Sequence, residues 1–262
     1  MPITLTPFDH GDLCYGWSWT IADEDELARQ IAIVAVGQSH HVERILAGAQ
    51  LAPPPTTASS ARNAIRMLTI EGDDPSHRDG WMFQVISWIA AHRAAPGGLI
   101  RTPQMRLADK GFDGLQLELD AANQTVTAAI LFEDKATVNP RDTIRDEVWP
   151  DFSKLESGDR DNVLTAEVIA LLRTRPSVDP DRAIQNAIWK AARHFRVSIT
   201  IAATHAGAAG RRRLFRGYNE VAGGAARRRR GEVFEVQNLR GWMAQLAAKA
   251  IRAIEGMVEP DV

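Results

Sequence analysis

Asp113, in Gly111-Phe112-Asp113-Gly114, and Glu133 and Lys135, in Glu133-Asp134-Lys135, have the types and spacing for chemistry on a phosphodiester. On a β-strand, residues two apart leave the same face, so Glu133 and Lys135 would project together and Asp134 to the other side. If a paired strand brings Asp113 beside them, the carboxylates repel each other and resist ionisation unless a cation neutralises them. Mg²⁺ or Mn²⁺ could do so, with oxygen ligands from Asp113, Glu133 and the backbone carbonyl of Asp134. Such an ion polarises phosphorus and stabilises the leaving oxygen. Lys135 would orient or help deprotonate the attacking water and offset charge on the phosphate.

Two strands must hold these groups. From Phe112, the residues Leu115, Leu117 and Leu119 alternate with Gln116, Glu118 and Asp120, the pattern of a half-buried strand. Asp120 to Gln124 supplies turn residues, and Thr125 to Lys135 reads as a second, β-branched-rich strand. A turn centred near Ala122 or Asn123 sets Asp113 opposite Phe132 or Glu133. Helical periodicity covers 24–50, 56–70 and 79–95 before this hairpin, and 141–155, 162–174 and 179–194 after it. Trp81, Phe83, Val85, Ile86, Trp88 and Ile89 make the third helix apolar on almost every side, which predicts a central place in the core. Strands over 197–204 and 232–237 and an amphipathic helix over 239–254 follow. The expected class is α/β, with 1–74 an N-terminal helical region packed on a core of 75–262.

The chain of 262 residues is 45% hydrophobic and 24% charged, with no apolar run long enough for a membrane span. Its start lacks a secretory signal and Cys14 is its single cysteine, so the expected compartment is the reducing cytoplasm. Net charge is only -2, but arginines cluster at Arg211, Arg212, Arg213 and Arg216, and again at Arg227, Arg228, Arg229 and Arg230. These predict phosphate contacts to DNA, with Phe215 and Tyr218 stacking on bases; a solvated loop or a subunit contact is the competing reading. The Gly/Ala/Arg segment 206–231 reads as a mobile loop ordered by a ligand. The histidines show no zinc-ligand spacing, and the tryptophans, Trp81, Trp88, Trp149, Trp189 and Trp242 among them, sit mostly on apolar helical stripes. No phosphate loop, Gly-x-Gly-x-x-Gly or Gly-x-Ser-x-Gly occurs, so an ATP motor, a dehydrogenase and a serine hydrolase are not indicated.

In the order helix, Gly-x-Asp-Gly strand, Glu-x-Lys strand, helix, strand, residues 75–205 resemble the PD-(D/E)XK, or restriction-endonuclease-like, nucleases. The resemblance implies a mixed central sheet flanked by helices, with Asp113 as the acid and Glu133 and Lys135 as the E-x-K pair. Lys110-Gly111-Phe112-Asp113-Gly114 also looks like the nuclease subunits of bacterial anti-phage systems such as Hachiman, which implies a helicase or ATPase partner and a role as defence effector. Many members carry a further acid on the first helix. Glu71 and Asp79 are the candidates here, with Gln84 as an alternative site-lining residue. A homodimer would let two sites cut two strands. The rival expectation is a non-catalytic DNA- or protein-binding module on a degenerate nuclease fold.

Overall fold

A computed structural model describes residues 1–70, 72–103, 112–122, 125–173, 175, 178–188 and 192–259, with side chains of 185–188 left aside. Two strands open the chain, β1 (Ile3–Asp9) and β2 (Tyr15–Ile21), paired antiparallel. The N-terminal part is therefore not purely helical: β2 lies parallel to a strand from the C-terminal part and extends the same sheet. Pro7 is compatible with this because β1 is an edge strand, where a missing N–H leaves no ladder position empty.

The expected helix over 24–50 is two helices, α1 (Glu24–Ala35) and α2 (Ser39–Leu46). They part at Gly37, whose φ of +84° a side chain would resist. Asp23 caps α1 by accepting the Glu26 N–H at 2.9 Å, and Thr57 caps α3 (Ala58–Leu68) in the same way. Helix α4 (Ser76–Ala94) is as buried as its all-round apolar sequence predicts. A short strand, β3 (Leu99–Ile100), precedes the hairpin of β4 (Gly114–Leu119) and β5 (Val126–Lys135).

After β5 the chain is helical through α5 (Pro140–Thr143), a π-helical turn (Ile144–Val148) and α6 (Trp149–Ser157), then α7 (Asp161–Leu172) and α8 (Pro180–Ile188). His194 is not helical, as the sequence pattern had it, but lies in β6 (Arg193–Ile201), a strand buried along its whole length. The segment expected to be a mobile loop forms α9 (Ala208–Leu214), α10 (Tyr218–Val221) and the start of β7 (Arg229–Glu235). Helix α11 (Leu239–Glu255) follows. Among the described residues no helix is long and apolar enough to cross a membrane.

Among the described residues seven strands form one mixed sheet in the order β1-β2-β7-β6-β5-β4-β3, confirming the α/β class. The middle four run parallel; β1, and β4 against β5, are antiparallel. Apolar side chains of α1, α3, α4 and α11 cover one face, and those of α6, α7 and α10 the other. A parallel sheet covered on both faces needs strands without a polar side, and β5 complies from Val126 to Phe132 apart from the exposed Thr127. Strand β4 is likewise buried on both faces rather than half-buried, since Gln116 is enclosed along with Leu115 and Leu117.

The exception is a row of polar residues under α4. Asp134 on β5, Ser198 on β6 and Glu232 on β7 are neighbours in register. Arg196, 0% exposed, grips both carboxylate oxygens of Glu232 at 2.8 Å each and also donates to the Ser87 hydroxyl at 3.0 Å. Trp19 Nε1 donates to Glu232 as well, at 2.8 Å, and the Arg196 guanidinium lies 4.3 Å from the Phe132 ring centroid. Removing one partner of a buried pair leaves the other charge uncompensated, at a cost of about 3–5 kcal/mol. Arg196→Met should show that loss in urea unfolding, and Arg196→Met with Glu232→Leu should recover much of it. A single variant within about 1 kcal/mol of wild type would show that the pair contributes no more than a surface bridge does.

Candidate active site

The hairpin register brings the predicted residues together. Gly114 pairs with Phe132, and the next step is fixed by the Asp113 N–H, which donates to the Phe132 carbonyl at 2.9 Å. Asp113 is thus set beside Glu133. Gly114 cannot carry a side chain here, because a Cβ would come within 2.7 Å of the Phe132 ring. The expected turn residues Asn123 and Gln124 lie outside the described residues, as do Lys110, Gly111, Glu71 and Trp189.

Strand β4 begins at Gly114, so Glu133, Asp134 and Lys135 run on past it. The Asp113 side chain takes the place of the missing strand: its Oδ2 accepts the Asp134 N–H at 2.8 Å, and its Oδ1 accepts from Gln84 Nε2 on α4 at 2.8 Å. A strand residue directs its N–H and C=O to the same neighbour, so the Asp134 carbonyl opens on the Asp113 side. Among the described residues no group of three or more His, Cys, Asp or Glu side chains is placed to hold a metal. The donor set here would be two carboxylates and one backbone carbonyl. Such a set fits a hard divalent cation that keeps several waters.

Burial and crowding act strongly on these acids. Burial first, and then the neighbouring Asp113, push the Glu133 carboxyl up to about 8, against the pull of Lys135. Asp113 is also raised, mainly by burial, although Lys135 and the Asp134 N–H oppose the shift. Lys135 Nζ lies 3.1 Å from Glu133 and 4.0 Å from Glu147. Burial is the largest single influence on Lys135 and acts to lower it, but Glu133, Asp113 and Glu147 outweigh it and keep the ammonium protonated. Lys135 is therefore a cation here, suited to orienting water or meeting phosphate and not to taking a proton.

Asp134 belongs to the other face. Its carboxylate accepts from the Ser87 hydroxyl at 2.6 Å and is raised to about 7, chiefly by burial, with Arg196 opposing. Gln84, the alternative site-lining residue, touches Asp113, whereas the candidate acid Asp79 is spent elsewhere: it pairs with Arg78 at 2.7 Å and with Arg240 of α11. The sequence did not point to Arg101 or Glu147. Arg101 donates to the carbonyls of Phe112 (2.8 Å) and Asp113 (3.3 Å) and pairs with Glu167 at 3.1 Å. Glu147 arrives from the π-helical turn, a feature with no sequence signature but one often found near functional sites.

Three arginines of the second cluster are structural. Arg228 pairs with Glu156 at 2.8 Å, Arg229 donates to the carbonyls of Asp12, Leu13, Ala222 and Gly224, and Arg230 reaches Tyr15 and Glu118. All three are buried, so they are not free to meet DNA as the sequence reading had it. Phe215 and Tyr218 are fully enclosed too, and cannot stack on bases. Arg211 is half-buried over the Phe8 ring, while Arg212, Arg213, Arg216 and Arg227 remain exposed.

No protein-family model, curated protein or solved structure matches the chain.

Two outcomes test this geometry. Asp113→Asn keeps an acceptor for the Asp134 N–H and removes a buried charge, so its stability should equal or exceed wild type. Asp113→Ala orphans that N–H and should cost about 1–3 kcal/mol in chemical denaturation. Equal stability of the two would mean that the side chain does not close the ladder.

Because Glu133 is raised from 4.5 to about 8, the folded protein binds its proton more tightly than the unfolded chain does. That contribution is complete below 4.5 and is lost as pH rises through about 8. In metal-free buffer, the melting temperature of Glu133→Gln should gain on wild type across this window, by about 2–4 °C for each kcal/mol lost. A gap that stays constant with pH would show that Glu133 titrates like an exposed carboxyl.

Proposed function

We propose that this protein is a metal-dependent DNA endonuclease on a restriction-endonuclease-like core. The observation that carries the reading is the convergence of Asp113, Glu133 and the Asp134 carbonyl at one strand end, with protonated Lys135 held 3.1 Å from Glu133. The element order supports it: helix α4, the antiparallel β3, β4 and β5, further helices, then β6 parallel to β5. So does position, since sites in such sheets lie at the carboxyl ends of the parallel strands, where Lys135 ends β5.

On this reading a bound Mg²⁺ or Mn²⁺ supplies Lewis-acid activation of the phosphate and of water. Asp113, held by Gln84 and the Asp134 N–H, and Glu133 present the ligands. The Lys135 ammonium faces the phosphate oxygens and offsets their charge. Contacts to the strand backbone fall to the exposed arginines, Arg212, Arg213, Arg216 and Arg227, and any strand separation to a separate helicase or ATPase subunit.

The test is cleavage of supercoiled plasmid by the full chain in Mg²⁺ or Mn²⁺, beside Lys135→Ala, together with thermal stabilisation by Mn²⁺ of wild type and Glu133→Gln. Wild type should nick the plasmid, Lys135→Ala should be slower by about 10²-fold or more, and Glu133→Gln should lose the Mn²⁺ stabilisation. Equal cleavage by wild type and Lys135→Ala would overturn the assignment. So would a wild type that neither cuts nor is stabilised by the ion.

A further inference from the structure

A cavity of about 780 Å³ lies where the sheet ends at β3, between α2 and the end of α4 on one side and α7 on the other. Its size is that of a site for a nucleotide-sized ligand. Leu99 and Leu171 give it apolar wall, and Arg44 and Arg175, both exposed, stand at its rim.

Two nitrogens on this wall are buried without a hydrogen-bond partner among the described residues: Arg101 Nε and His92 Nε2. Glu43 is the acid nearest His92, but at 3.9 Å it is beyond hydrogen-bond range. Buried polar atoms are rarely left unpaired, and two in residues that line one cavity favour an occupant with hydrogen-bonding atoms of its own. The strand edge adds a further pair. The Arg101 N–H donates to Leu115 of β4, so by alternation the N–H and C=O of Ile100, which also lines the cavity, face away from the sheet. A donor and an acceptor side by side on a backbone match the edge of a nucleobase. Arg101 is already paired with Glu167, so the exposed Arg44 and Arg175 are the arginines that match a phosphate, and the leucines match the faces of a base.

We infer that this cavity binds a nucleoside phosphate, with its phosphate toward the exposed Arg175 and its base along the edge of β3. The ligand is either a free nucleotide or the phosphorylated end of a strand. This site is separate from the proposed metal centre and does not depend on cleavage. It nevertheless adjoins that centre, because the Arg101 guanidinium that lines it also holds the Phe112 and Asp113 carbonyls.

The experiment is calorimetric titration of the full chain with AMP, adenosine, inorganic phosphate and a 5′-phosphorylated oligonucleotide, in metal-free buffer. AMP should bind, with adenosine, which lacks the charged hydrogen bonds, and phosphate, which lacks the base contacts, each weaker by about 10-fold or more. Arg175→Ala and His92→Phe should each weaken AMP similarly. Arg175 is exposed, so its variant tests the site without disturbing the core, and melting curves verify folding of both. An oligonucleotide that binds more tightly than AMP assigns the strand end, and one that binds less tightly assigns the free nucleotide. No binding of AMP up to about 1 mM, phosphate as good a ligand as AMP, or unchanged affinity in both variants would overturn the inference.

Discussion

The hydrogen bond from the Asp134 N–H to the Asp113 carboxylate is the contact on which the candidate site depends. Strand β5 outruns β4, and a strand that outruns its neighbour leaves backbone groups without partners. One side chain, at 2.8 Å, supplies the missing acceptor. This closure fixes Asp113 beside Glu133 and leaves the Asp134 carbonyl on the same side. The arrangement that completes the ladder is therefore also the one that gathers oxygen ligands.

Such a gathering is electrostatically costly. Asp113, Glu133 and Asp134 all have raised proton affinities, chiefly because burial disfavours their charged forms. The surroundings offset this differently on the two faces of β5. On the Glu133 face, Lys135 is the cation that pairs with Glu133 among the described residues, and it is shared with Glu147. On the Asp134 face, Ser87, Ser198 and Arg196 bind the carboxylate into a closed network with Glu232. One face is thus internally satisfied, whereas the other retains acid in excess of base, the condition under which a divalent cation is a natural complement.

The Arg-rich C-terminal segment shows how the same residue type divides by context. Arg228, Arg229 and Arg230 begin or adjoin β7, and there a guanidinium with five donors can satisfy several loop carbonyls at once. Read along the sequence they look like a polycationic stretch. In the fold Arg229 ties the loops around Asp12, Leu13, Ala222 and Gly224 to the sheet, while Arg228 holds Glu156 and the Gly223 carbonyl and Arg230 reaches Tyr15 and Glu118.

The sequence by itself determined the central hairpin and the partnership within it, since alternation of apolar residues and the Glu-x-Lys spacing act over a few residues. It also determined α3 and α11, where capping residues and 3.6-residue periodicity are local signals, and α4, whose apolar residues on almost every side mark a buried helix. The tertiary structure alone decided that β1 and β2 join the sheet, that Gln84 and not Asp79 meets Asp113, and that Glu147 approaches Lys135. It alone turned three arginines inward. These outcomes rest on contacts between residues far apart in the chain, where the choice of partner depends on which charge is left unpaired after packing. Local pattern carries no record of that competition.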